Sequence, residues 1–113
     1  MIRVVLYRDC QNRIMGYNIT GHAGYDTKGE DIVCAAISVL AQTVLLSLAD
    51  VCNIEEKYIE YSIDEGVMNV MISDDLDNDR YMEAEILLNT LEVGVRAIIE
   101  NYPGYVTVGY REV

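Results

Sequence analysis

The 113-residue sequence has no tryptophan and no phenylalanine, so nine tyrosines supply all of its aromatic surface. Positive charge is scarce: eight Lys and Arg stand against 19 Asp and Glu, for a formal net charge of −11. Such a surface repels phosphate backbones and anionic lipid and attracts a basic partner; no direct nucleic-acid contact and no membrane contact are expected. The three cysteines, Cys10, Cys34 and Cys52, form no CxxC pair. An odd number at unrelated spacings reads as reduced thiols in a cytoplasmic protein. The first ten residues carry neither a long apolar core nor a small-residue cleavage site, which argues against secretion. The longest apolar region, Ile32 to Ala49, is interrupted by Ser38, Gln42, Thr43 and Ser47, where a membrane span would be cleaner and longer. Repeats, linkers and low-complexity segments are absent.

What is there is ordinary globular material, 51% hydrophobic and 24% charged, at a length that suits one domain over residues 1–113. A chain of this size buries roughly two-thirds of its extended surface and needs no metal or disulfide staple. Periodicity gives seven elements. Ile2–Tyr7 and Ile14–Thr20 read as strands joined by the polar turn Asp9-Cys10-Gln11-Asn12, with Met15, Tyr17 and Ile19 on one face. The glycine-punctuated segment Gly21 to Gly29 reads as a loop, too long for a tight turn and of a kind that often serves function. A helix is expected from Glu30 or Asp31 to about Asp50. Tyr58–Asp64 and Val67–Ser73 alternate as a second hairpin, with Ile59, Tyr61 and Ile63 paired against Met68, Val70 and Ile72 on the inner faces. A second helix, about Arg80 to Asn101, carries an apolar stripe of Ala84, Leu87, Leu88, Leu91, Val95 and Ile98, and Tyr105–Tyr110 closes the fold as a strand. The order ββαββαβ implies an α+β fold, two helices packed on a mixed or antiparallel sheet.

The first helix holds the candidate chemistry. With Cys34 at 0°, Ser38 falls at about 40°, Asp31 at about 60° and Gln42 at about 80°, one narrow polar wedge. Ile32, Val33, Ala36, Ile37, Val39 and Leu40 are assigned to the core. A wedge of this kind is either a solvent-facing stripe that includes a small residue or the wall of a site. Three features favour the site. Cys34 is placed in the first helical turn, where free N–H groups and the helix dipole favour thiolate. His22, the one histidine, lies twelve residues upstream in a glycine-bounded loop that leads into the same helix. A histidine within reach of a cysteine is the minimum for an activated thiol nucleophile. Finally, Gly21, Gly24 and Gly29 permit close approach of a peptide backbone and a loop that moves.

Other chemistries fit less well. Cys10, Cys34, Cys52 and His22 lack the closely spaced pair of a structural zinc site, so no metal is expected. The Gly21–Gly29 segment lacks a GK[ST] ending and is followed by Glu30 and Asp31, which oppose phosphate. The run from Asp74 to Asp79 has no glycine at the sixth position of a calcium loop and Ile86 where its glutamate would stand.

Gly21-His22-Ala23-Gly24 followed by Gly29-x-Asp31-Ile32-Val33-Cys34-Ala35-Ala36-Ile37-Ser38-x-Leu40 strongly resembles the signature of the ribosomal-processing cysteine protease family, Prp. Gly94, Tyr102-Pro103 and Val106-x-Val108 also resemble that family, and the length matches from end to end. The resemblance implies an α+β cysteine protease, homodimeric and cytoplasmic. Its implied task is to remove a short N-terminal extension from a large-subunit ribosomal protein, a step that supports ribosome assembly. The nucleophile falls on Cys34 and the base on His22, with Asp31 and Ser38 as supporting residues and no cofactor. In the expected acyl transfer, backbone N–H groups at the helix start, that of Cys34 included, stabilise the oxyanion. Asp31 either caps the helix or orients His22. Ser38 serves as a hydrogen-bond partner or pocket wall. A non-catalytic binding module for a basic ribosomal protein or assembly factor, with Cys34 inert, is the competing reading, because no third catalytic acid is secure.

Overall fold

The computed structural model describes residues 1–21 and 28–113, with side chains at the helix start described from Ile32 onward. Strands β1 (Ile2–Arg8) and β2 (Ile14–Thr20) are followed by helix α1 (Lys28–Asp50). A short 3-10 turn, Glu56–Tyr58, leads into β3 (Ile59–Asp64) and β4 (Val67–Ile72); helix α2 (Asn78–Asn101) and β5 (Val106–Glu112) complete the chain. The order β3-β4-β2-β1-β5 forms one five-stranded sheet. Every pairing is antiparallel except that of β1 with β5, so the sheet is mixed. The α+β class and the element order read from the sequence are therefore observed.

Strand alternation explains which sheet face the helices cover. Ile2, Val4 and Leu6 point inward from β1, and Met68, Val70 and Ile72 from β4. Against them α1 seats Val33, Ile37, Ala41, Val44 and Leu48, and α2 seats Tyr81, Ala84, Leu88, Leu91 and Val95, all at helical spacing. The buried Tyr17 hydroxyl donates to the Ala41 carbonyl at 2.7 Å, which pins α1 to β2. The helices touch closely at Gly94, where a Cβ would stand 2.6 Å from a Leu40 methyl carbon. On the opposite sheet face the Tyr7 hydroxyl donates to Asn69 Oδ1 at 2.6 Å, and Asn18 Nδ2 donates to the same oxygen at 3.2 Å. Asp77 caps α2 by accepting the Arg80 N–H at 2.9 Å.

Two expectations about burial are corrected. Ile59 is buried, but Tyr61 and Ile63 are 48% and 57% exposed. They share the helix-facing side with Ile59, yet β3 is an edge strand and, among the described residues, nothing covers it beyond its first residue. Ile32 and Val39 of α1 are 52% and 66% exposed rather than core. A helix lying on a sheet buries one face only, and these two residues point away from it.

Candidate active site

Cys34 opens onto a cleft of about 190 Å³ at one end of the sheet. The helix wall is Cys34, Ser38 and Gln42; the sheet wall comes from the end of β2 and the β3–β4 turn, with Ile19, Gly21, Ile63 and Met68. Gly21 fixes the floor. Its φ is +99°, and a Cβ there would come within 2.3 Å of the Met1 carbonyl oxygen. Its N–H donates to the Gly66 carbonyl at 3.1 Å, tying the exit of β2 to the neighbouring hairpin. Cys34 is half-buried against the core, so its thiol is held in place while remaining accessible. One turn along, Ser38 Oγ accepts a hydrogen bond from Gln42 Nε2 at 2.9 Å. Cys34, Ser38 and Gln42 of the polar wedge read from the sequence thus form a cleft wall.

The other two cysteines sit in different surroundings. Cys10 is exposed in the β1–β2 turn. Cys52 is buried beyond the end of α1, where burial, reinforced by the Glu83 charge, pushes its thiol pKa up. Neither setting favours a nucleophile.

The start of α1 changes three details. Because the helix begins at Lys28, Gly29 belongs to its first turn and not to a loop. Asp31 lies inside the helix, which removes it from the N-cap position. Cys34 stands in the second turn, where its N–H is paired within the helix and is not free to receive an oxyanion. The earlier start was hidden because Lys28 and Gly29 interrupt the apolar pattern from which the boundary was drawn. His22 and Gly24 lie outside the described residues, as does the side chain of Asp31. Ile63, Asp64 and Met68 enter the cleft wall without having been expected there, since alternation in a strand reads as core whether or not a helix covers it.

A larger concavity, about 680 Å³, lies at the opposite end of the sheet and includes Asp9, Lys57, Tyr58 and Ser73. Its lining carries charges of both signs and no cysteine. Beside it, Arg13 Nε donates to Asp9 Oδ2 at 2.8 Å and the guanidinium lies over the Tyr81 ring. Volume alone does not mark the reactive end.

The sequence model of a family described as Cysteine protease Prp matches residues 1–107. The chain is similar to a Bacillus subtilis protein described as ribosomal processing cysteine protease Prp, at 25% identity over 105 residues, 90% of each chain. A crystal structure of a Streptococcus mutans protein superposes with a TM-score of 0.82 at 25% identity, covering 100% of this chain and 96% of that one. The S. aureus ribosomal processing protease Prp, crystallised with a substrate peptide, shares the fold at a TM-score of 0.82 and 21% identity, over 98% of this chain and 100% of that one.

Proposed function

The chain belongs to the cysteine protease Prp family, and from that premise we propose that Cys34 is its nucleophile and His22 its general base. The observation that carries the assignment is the contrast among three thiols: Cys34 alone opens onto a cleft. His22 takes the Cys34 proton, and the thiolate adds to the scissile carbonyl. His22 then returns the proton to the departing amine, leaving a thioester on Cys34. Water, activated by the same imidazole, hydrolyses that thioester and regenerates the thiol. Ser38 and Gln42, bonded to each other, form the polar wall beside the reacting carbon.

The substrate is the N-terminal extension of a large-subunit ribosomal protein. Two observations support it: the B. subtilis relative is described as a ribosomal processing protease, and a net charge of −11 draws a basic substrate toward the enzyme. Three free thiols support a cytoplasmic location. A second copy of the chain is placed on the outer face of the helices. There Ile32 and Val39 of α1 and Ile86 and Val93 of α2 repeat at seven-residue spacing and stand more than half exposed. Val39→Glu combined with Val93→Glu should convert a dimer to a monomer in sedimentation equilibrium.

The test of the activity uses an extension-bearing ribosomal protein incubated with wild-type enzyme, Cys34→Ser and Cys10→Ser. Wild type and Cys10→Ser should remove the extension, while Cys34→Ser should leave it intact with an unchanged circular dichroism spectrum. Cleavage by Cys34→Ser would overturn the assignment.

A further inference from the structure

The start of α1 leaves the cleft short of one group that acyl transfer needs. When a thiolate adds to a carbonyl, the carbonyl oxygen takes up the negative charge and must meet a hydrogen-bond donor. The Cys34 N–H is committed within α1, and the Gly21 N–H is committed to the Gly66 carbonyl. On the sheet wall, Ile19, Ile63, Val67 and Met68 donate nothing, and the Asp64 carboxylate only accepts. Apart from the thiol, the side-chain donors that line the cleft among the described residues are Ser38 and Gln42.

Ser38 stands one turn from Cys34 on the same face of α1, so their Cβ atoms are about 5–6 Å apart. An oxygen on a carbon bonded to Cys34 Sγ falls within reach of the Ser38 hydroxyl. Which way that hydroxyl points decides whether it helps. A helical serine or threonine commonly donates to the carbonyl one turn back, as Thr90 Oγ1 does to the Ile86 carbonyl at 2.7 Å. The bond described for Ser38 has the opposite sense: Gln42 Nε2 donates to Ser38 Oγ at 2.9 Å. A hydroxyl has one proton and two lone pairs, and a donor seated on one lone pair turns the proton away from itself. Ser38 lies between Gln42 and Cys34 on one strip, so the proton is turned toward the Cys34 end.

We propose that Gln42 is a positioning residue, which donates to Ser38 Oγ and thereby aims the Ser38 O–H at the carbonyl oxygen of the bond being cut. The proposal rests on the protease reading of Cys34. As the S–C bond forms, the carbonyl π pair moves onto oxygen, and the Ser38 O–H donates to it while keeping its proton. When the C–N bond breaks, the pair returns to the carbonyl and the amine leaves with the proton held by His22.

Gln42→Glu separates this role from wall-building, because it keeps size and shape while a carboxylate can only accept. Ser38 would then donate to the new carboxylate, and its proton would be lost to the oxyanion. Steady-state kinetics on an extension-bearing ribosomal protein should show kcat lowered about 100-fold in Ser38→Ala and at least about tenfold in Gln42→Glu, each with little change in KM. Added to Ser38→Ala, Gln42→Glu should do nothing further. Alkylation by iodoacetamide forms no oxyanion, so Cys34 should react at the wild-type rate in both single variants and in the double variant. Unchanged kcat in Ser38→Ala or Gln42→Glu, or an equal loss from Gln42→Glu with and without the Ser38 hydroxyl, would overturn the positioning role. So would alkylation that slows in step with kcat, since the new charge would then be acting on the thiol. A wild type that cuts nothing would instead overturn the protease reading, and the role of Gln42 with it.

Discussion

The two ends of the sheet are built on opposite plans. At the end where β1 leaves the sheet, polar groups hold one another: Asp9 accepts from Arg13, Arg13 lies over Tyr81, and the single Tyr81 hydroxyl proton is shared between the Ile14 carbonyl at 3.0 Å and Glu85 Oε2 at 3.2 Å. Burial, aided by Glu85, pushes the Tyr81 hydroxyl pKa well up, so it stays a donor at all ordinary pH values. At the other end the cleft around Cys34 is mostly apolar, its described polar contacts limited to Ser38 with Gln42 and the Gly21–Gly66 backbone bond. Satisfied polar groups rigidify a structure and leave little over for a ligand. A half-buried thiol beside open apolar walls has capacity to spare. That contrast is why we propose the smaller cleft, and not the larger concavity, as the site.

Substitutions at the two ends should separate activity from stability. His22→Ala should lower kcat for peptide cleavage by about 10²–10⁴-fold with little change in melting temperature, as the contribution of one general base requires. Near-normal turnover in that variant would break the distinction at its reactive end. Leu88→Ala, in the core under both ends, should cost about 2–5 kcal/mol in urea denaturation. Tyr81→Phe should leave cleavage kinetics unchanged and cost about 1 kcal/mol, since it removes the bond to the Ile14 carbonyl. The smallest effect belongs to Asp9. Burial raises its pKa, but hydrogen bonds from Arg13 and Gln11 and the Arg13 charge overcome this and hold the carboxyl below its ordinary value. Its contribution is present above the unfolded carboxylate pKa and is lost as pH falls through the lower folded value. Asp9→Asn should therefore narrow the stability difference from wild type as acid is added, read from denaturation midpoints between pH 6 and pH 2.

Much of this contrast was legible in the sequence, and the part that was not has a physical reason. The strand Ile14–Thr20 has the expected bounds, and Leu88, Leu91 and Val95 are buried as their spacing requires. The wedge of Cys34, Ser38 and Gln42 was visible because helical angles follow from spacing alone. Tyr61 and Ile63 were misassigned to the core because alternation records which face a residue shares and not whether another element reaches that face. Ile32 and Val39 were misassigned because α1 is apolar on two sides, one against the sheet and one outward. The Asp9–Arg13–Tyr81 cluster joins residues from β-hairpin and helix across a long stretch of chain, which no local pattern encodes.

The central claim is that Cys34 alone is the reactive thiol. It is tested most directly by treating the enzyme with substoichiometric iodoacetamide at pH 6.5, mapping the modified cysteine by mass spectrometry and assaying peptide cleavage in the same sample. A thiol activated by a neighbouring histidine is the first of several to be alkylated. The account predicts that the label is found on Cys34 and that activity falls in proportion to it. Labelling of the exposed Cys10 ahead of Cys34, or cleavage that survives full modification of Cys34, would contradict it.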